Sequence, residues 1–435
     1  MNYLDKELDH FMELGTELGI AHVQCAADVC PGGKFVKING QEVIDYSRLD
    51  YLALGENPDI RIHMQQSIER YDTSCPASQF VFKSGSNVKL EKRLATLHKL
   101  DDSLVFTSGF SVNINMMEAL GLRLRVPHLN RYAKNYKLGR DTRDIPTVFI
   151  VDADSHYSLI HGIRVTSRTS YASCFSYFYK GGNFKRLEGH LKKIEARFGD
   201  KAIKIIVSDS LDSATGKIID VAKLYQIAID HQALLYLDEA HAVGALGPNG
   251  GGISDMMLAE NVDRKNLIVM GTLTKTFSQL GGYVAFGDPR LLALVRACSP
   301  QYIFSAPVLP WMAETLCYTL DLLAGSWGKE RRRILEVRAK ELRAKLRKEG
   351  FDILGSETHI VPILIGDEVK CQHMKQELLK EGFNVASFFF PAVAKGEACL
   401  RISVCADITS QDIDGLVGAV CRIFKQKQLP ERHDE

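Results

Sequence analysis

The chain has 435 residues, 46% of them hydrophobic and 25% charged, with 54 Lys and Arg against 53 Asp and Glu and a formal net charge of +1. That length exceeds one small domain and suits a large domain with a smaller one, and the near-neutral balance gives no general case for nucleic acid or an anionic membrane as partner. The ten cysteines form no CxxC pair, which favours reduced thiols over disulfides or a metal site and suits a cytoplasmic protein.

Residues 1–45 read as an N-terminal arm. It has a helix over Leu4–Leu18, then Pro31-Gly32-Gly33, then a hairpin about Asn39-Gly40, a dipeptide suited to a two-residue turn. No basic segment leads into an apolar core there, so no signal peptide is expected, and no apolar run in the chain reaches transmembrane length. Helices follow near Asp59–Tyr71 and over Asn87–Leu100, the second with Leu90, Leu94 and Leu97 on one face. From Leu104 onward strands and helices alternate. Strands are expected at Leu104–Phe106, Val148–Val151, Ile203–Val207, Leu234–Leu237, Leu267–Met270 and Tyr283–Phe286. Helices around Asn113–Leu120, Phe184–Phe198 and Val221–Asp230 lie between them. Such alternation predicts an α/β fold, a mostly parallel sheet with helices on both faces, in which ligands sit at the carboxyl ends of strands.

After about residue 300 the pattern changes. Helices Pro310–Leu323 and Lys329–Lys348 lead to strands Val361–Ile365 and Cys399–Val404, with helices Gln372–Glu381 and Ser410–Phe424. The expected division is therefore an arm at 1–45, a large domain at 46–300 and a smaller α+β domain at 301–435. The run Lys329-Glu-Arg-Arg-Arg333 reads as the solvated face of a helix. Residues 122–146 form a basic, loop-like insertion; a lid, a partner surface and a plain surface excursion are all consistent with it.

Residues with chemistry collect at the strand ends. Lys275, in Gly271-Thr-Leu-Thr-Lys275, follows a buried strand, where partial desolvation turns an ammonium into a nucleophilic amine able to form a Schiff base. Thr272 and Thr274 flank it with hydroxyls suited to a phosphate. Asp238 emerges from the strand Leu234–Leu237 and needs a cationic or hydrogen-bonding partner, which a protonated pyridine nitrogen would supply. His241, three residues on, can reach a ring hydroxyl, and His156 can stack flat on an aromatic cofactor. Ser108-Gly109-Phe110 offers backbone N–H groups at a helix start, a natural phosphate site. Singly each is better explained by packing or capping; together, in order and at strand ends, they suit pyridoxal 5′-phosphate (PLP). No GxxxxGK[ST], HExxH or strand-linked GxGxxG is present.

The order Ser-Gly-Phe (108–110), Asp-Ala-Asp-Ser-His (152–156), Asp-Glu-Ala-His-Ala-Val-Gly (238–244), Gly-Pro-Asn-Gly (247–250) and Gly-Thr-Leu-Thr-Lys (271–275) resembles the α-oxoamine synthases. These are fold-type-I PLP-dependent transferases that join an amino acid to an acyl thioester with loss of CO₂. The resemblance covers about residues 44–420. It implies a homodimer, with acyl-CoA or acyl-carrier-protein as acyl donor. It implies Lys275 as the Schiff-base lysine and the base for the α-proton, His156 on the ring face, Asp238 on the pyridine nitrogen, and His241 and Ser213 at further ring contacts. Thr272, and Ser305 reaching across a dimer interface, would bind the phosphate, and Arg401 the amino acid's carboxylate. Val295-Arg-Ala-Cys298, Tyr302-Ile-Phe304 and Leu400–Ala406 look most like the serine palmitoyltransferase branch, and the absence of arginine before residue 48 suits an apolar acyl chain. The biotin-pathway 8-amino-7-oxononanoate synthase branch and a signal-aminoketone synthase are the alternatives. A non-catalytic partner subunit is disfavoured by Lys275, His156 and Asp238. The pattern departs from the family at Leu49–Ala53, at Phe388-Phe389-Phe390 and at Asp407-Ile408-Thr409, all expected near the carboxylate or acyl pocket.

Overall fold

The computed structural model describes residues 3–17, 26–29, 33–71, 74, 77–122, 145–168, 173–390 and 392–426. Residues 123–144 of the expected insertion lie outside them. Strands are numbered along the chain: β1 (Ala26–Val29), β2 (Phe35–Ile38) and β3 (Gln41–Asp45) come first. They are followed by β4 (Asp102–Phe106), β5 (Thr147–Asp152), β6 (Cys174–Tyr179), β7 (Ile203–Asp209), β8 (Leu234–Asp238), β9 (Leu267–Thr272) and β10 (Gly282–Phe286). The last are β11 (Ile360–Gly366), β12 (Phe383–Asn384), β13 (Ala386–Phe388) and β14 (Ala398–Ser403).

The chain forms two compact units, one of residues 57–213 and 218–332, the other of residues 1–56, 214–217 and 333–435. The first holds a seven-stranded sheet in the order β4-β10-β9-β8-β7-β5-β6. Only β10 runs antiparallel to its neighbours, so the sheet is mostly parallel, as the alternation predicts. The central strands are buried almost residue by residue, which is why they read as continuous apolar runs: a parallel sheet is covered on both faces. On one face the helix Gly109–Leu122 sets Val112, Met116 and Leu120 against Phe149, Val151 and Met270. The edge strand β6 is absent from the sequence reading. It is half-exposed, and Cys-Phe-Ser-Tyr-Phe-Tyr lacks the aliphatic run that marks the others. The helix Pro289–Cys298 is also absent from it, although Asp288 before Pro289 is a legible start signal: its carboxylate accepts from the Arg290 N–H at 2.9 Å.

Helix Pro310–Ala324, assigned from sequence to the small domain, belongs to the first unit. Its buried face (Ala313, Leu316, Cys317, Leu320, Leu323) packs on the helices Pro58–Arg70 and Gly85–Leu97. Asn87 Nδ2 donates to the Val308 carbonyl at 3.0 Å, and Arg93 Nη1 to the Cys317 carbonyl at 2.8 Å. The boundary thus moves from 300 to about 332.

In the second unit β2 and β3 form the expected hairpin, with Asn39 and Gly40 at φ 52° and 82°, the positive pair of a type I′ turn. A lone hairpin is marginal in water, and this one is no separate arm. β3 pairs in parallel with β12, Ser403 N–H donates to the Tyr46 carbonyl at 2.8 Å, and Arg48 grips Asp407 at 2.7 and 2.9 Å. A three-stranded antiparallel sheet, β11-β14-β13, completes the unit.

Candidate active site

The register of the large sheet lines up one row of chemistry-bearing residues. Phe106 of β4 sits opposite Gly282 of β10, and Gly282 opposite Thr272 of β9. Asp238 of β8 lies beside Asp209 of β7. Ser108, Lys275 and His156 follow directly after the ends of β4, β9 and β5. All sit along the carboxyl edge of the parallel strands, where such sheets bind ligands.

At one end of this row is an anion cradle. Ser108 Oγ accepts from the Ser111 N–H at 3.2 Å and caps the helix Gly109–Leu122. As the first amides of that helix, Gly109 and Phe110 have no intrahelical carbonyl to reach, and they carry the positive end of its dipole. The helix start lies hard against the sheet. A Cβ on Gly282 would stand 2.5 Å from the Gly109 nitrogen, and one on Gly109 would stand 3.2 Å from Thr272 Oγ1. Only glycines allow that approach. Thr272 and Thr274 join hydroxyls at 2.7 Å beside it. The loop that follows is closed by its own backbone: Leu273 N–H to Gly281 O, Ser278 N–H to Lys275 O and Gln279 N–H to Leu273 O, each at 2.9 Å. It presents Lys275 half-buried.

The centre of the row is acidic. Asp238 is buried and holds two donors, Asn113 Nδ2 on Oδ2 at 2.8 Å and the Ala240 N–H on Oδ1 at 2.9 Å. Its neighbour Asp209 is pushed well above the usual carboxylate range by burial and by the charge of Asp238. His156 receives 2.7 Å contact from Ser158 Oγ on Nδ1, and its N–H donates to Asp209 Oδ1 at 3.3 Å. Partial burial lowers its pKa, Asp238 opposes that, and Lys275 adds to it, so amine, imidazole and carboxylate act on one another electrostatically. The edge of Phe110 meets the His156 ring at 6.3 Å. His241 is buried and Ser213 half-buried, both just past the ends of β8 and β7. Ser305 is half-buried next to Phe304, which is 84% exposed.

Glu239, overlooked in the sequence, organises the loops behind this row. Fully buried, it accepts from Ser210 Oγ at 2.7 Å, the Ile253 N–H at 2.9 Å and the Ser254 N–H at 2.7 Å. Gly252, at φ +82°, leaves it room: a Cβ there would lie 2.4 Å from Glu239 Oε2. Burial raises its pKa despite those donors. Glu239→Gln puts an NH₂ where an N–H or O–H already points. The expected loss is about 1–3 kcal/mol, read as a lower guanidinium midpoint; an unchanged midpoint would contradict this role.

Arg401 belongs to the other unit, on β14. It is buried, lies over the Phe388 ring at 4.7 Å, and burial lowers its pKa while Tyr51 opposes the change. The departures from the family pattern have local explanations in the same unit. Asp50 accepts from the Leu54 and Gly55 N–H groups at 2.8 and 2.9 Å, closing a turn in which Ala53 takes φ 55°. Asp407 is the partner of Arg48.

The family model described as aminotransferase class I and II matches residues 143–420. The 5-aminolevulinate synthase of Bradyrhizobium diazoefficiens is 31% identical over 90% of this chain and 87% of its own. The 8-amino-7-oxononanoate synthase of Thermoanaerobacter pseudethanolicus is 29% identical over 97% and 98%. Among solved structures, a serine palmitoyltransferase of Sphingomonas wittichii superposes with a TM-score of 0.81 at 20% identity, over 98% of this chain and 99% of that one, a likeness of fold. The chain therefore belongs to the aminotransferase class I and II family and, within it, to the α-oxoamine synthases, PLP-dependent acyltransferases.

Proposed function

We propose that this enzyme joins a small α-amino acid to an apolar acyl thioester, carried by coenzyme A or an acyl carrier protein, in the manner of the serine palmitoyltransferases. A carbon–carbon bond forms between the acyl carbonyl and the amino acid's α-carbon, the thioester C–S bond breaks, and the carboxylate departs as CO₂. A proton replaces it, leaving an α-aminoketone and a free thiol. The observation that carries this reading is the single row of cradle, amine, imidazole and carboxylate at the carboxyl edge of the sheet.

The residues present fit PLP by their chemistry. The Gly109 and Phe110 amides, uncovered because Gly282 has no side chain, suit its phosphate together with Ser108, Thr272 and Thr274. Asp238, held by two donors, suits the protonated pyridine nitrogen, with His241 and Ser213 at the ring substituents. When bound, the cofactor supplies an electron sink for a carbanion at the amino acid's α-carbon. Lys275 Nζ then takes the α-proton, the His156 ring covers one face against water, and Asp238 holds the proton on the ring nitrogen. Arg401 is our candidate for the amino acid's carboxylate, a pairing its fixed, always-charged fork suits.

An apolar acyl group fits an arm without arginine before residue 48 and the run Phe388-Phe389-Phe390. The pimeloyl-type reaction of 8-amino-7-oxononanoate synthase is the second reading, favoured by that likeness over 97% of the chain. A cytoplasmic homodimer completes the proposal. Val81, at 75% exposed, and Phe304, at 84%, offer apolar surface that a second copy would cover, bringing Ser305 to the partner's phosphate.

The test is the visible absorbance of the purified protein, titrated separately with serine, glycine and alanine. A yellow band from lysine-bound PLP that responds to only one of them is expected, and names the amino acid. A colourless protein that added PLP does not reconstitute would overturn the proposal.

A further inference from the structure

Two buried side chains outside the roles assigned above join His156 to Asp238. Asn113, on the helix Gly109–Leu122, and Ser158, at the start of the helix Tyr157–Arg168, are both fully buried. Asn113 Nδ2 donates to Asp238 Oδ2 at 2.8 Å and to Ser158 Oγ at 2.9 Å, while its Oδ1 accepts from the Tyr236 hydroxyl at 2.7 Å. An ionised carboxylate only accepts, so the amide's NH₂ is the group that faces Asp238 and its orientation follows. Ser158 Oγ is then an acceptor from Asn113, and its proton turns to its other neighbour, His156 Nδ1, at 2.7 Å. The Ser158 N–H approaches the same atom at 3.4 Å. Facing two donors, Nδ1 carries a lone pair. The opposite tautomer would leave the buried Ser158 proton without an acceptor among the described residues.

We propose that Asn113 and Ser158 are positioning residues that lock His156 as its Nε2–H tautomer, so that the ring offers a hydrogen-bond donor at the edge away from Ser158 and is held in one frame with Asp238. Partial burial and the Lys275 charge, opposed by Asp238, favour the neutral ring this requires. The bond from the His156 N–H to Asp209 Oδ1 at 3.3 Å ties the backbone of the same turn. The catalytic consequence rests on the reading of His156 as the imidazole beside PLP; the tautomer does not.

The experiment is a long-range ¹H–¹⁵N correlation on full-length, cofactor-free protein with ring-¹⁵N histidine, near pH 8, the His156 signals being those lost in His156→Asn. The expected pattern is a protonated Nε2 and a bare Nδ1 in the parent, a shift toward Nδ1–H in Ser158→Ala, and the parent pattern restored in Ser158→Thr. An Nδ1–H or imidazolium pattern in the parent, or no change in Ser158→Ala, would overturn the proposal. In the PLP-loaded protein Asn113→Ala is expected to weaken PLP binding about tenfold, since it leaves the Asp238 carboxylate short of a donor. Should the parent show the Nε2–H pattern yet bind no PLP, the cofactor reading fails while the tautomer lock stands.

Discussion

Lys275→Ala is expected to abolish turnover, lowering it by at least about 10³-fold, and to remove the visible band of lysine-bound PLP. In the proposed reading the lysine supplies two things that no neighbour replaces: the amine that holds the cofactor and the base for the α-proton. Ser278 and the two threonines nearby offer hydroxyls, which do neither at neutral pH. The fold should survive the change. The 273–281 loop is closed by backbone hydrogen bonds, and Lys275 is only half-buried, so truncation leaves no deep cavity. Absorbance, turnover and the thermal midpoint of one preparation decide the matter. A variant that keeps both the band and its activity would remove Lys275 from the site, whereas one that unfolds would show the loop to be structural.

Asp238→Asn is expected to lower kcat by about 10²- to 10³-fold and to cost about 1–3 kcal/mol of stability, because its NH₂ must face either the Asn113 amide or the Ala240 N–H. The substitution keeps shape and one acceptor, and removes the charge that would hold a proton on the pyridine nitrogen. Its neighbour gives the experiment a second readout. The charge of Asp238 is one cause of the raised pKa of Asp209, so neutralising Asp238 lets Asp209 ionise at lower pH. The residual activity should therefore rise with pH as Asp209 takes up the charge one strand away, and Asp209→Asn in the same chain should remove that rise. Activity within a few-fold of the parent at all pH values would mean that the carboxylate is not the electronic partner proposed.

Much of this site is legible in the linear chain because its parts are local. Strand ends are marked where an apolar run stops at Asp238, at Asp152 or before Lys275, and glycines mark the turns. Asn113, Ser158 and Glu239 are not legible in that way. Asn113 and Ser158 are single polar residues inside helices and Glu239 follows β8, and nothing in their spacing says that Asn113 meets residues 158, 236 and 238 or that Glu239 meets 210, 253 and 254. Burial without a partner would be costly for each, but burial is a property of the fold. The domain boundaries were hidden for a related reason: the helix Pro310–Ala324 looks alike whichever unit receives its apolar face.

The amino-acid sequence by itself therefore determined the α/β class, the apolar strands of the large sheet, the hairpin at Asn39-Gly40 and the candidate residues at the strand ends, because periodicity, turn chemistry and motifs are short-range. Only the tertiary structure decided that β10 enters the sheet antiparallel between β4 and β9, that the hairpin joins β12, and that Asp209 stands beside Asp238. Strand neighbours and their register are chosen by how two buried faces pack together, and no stretch of the chain contains both faces.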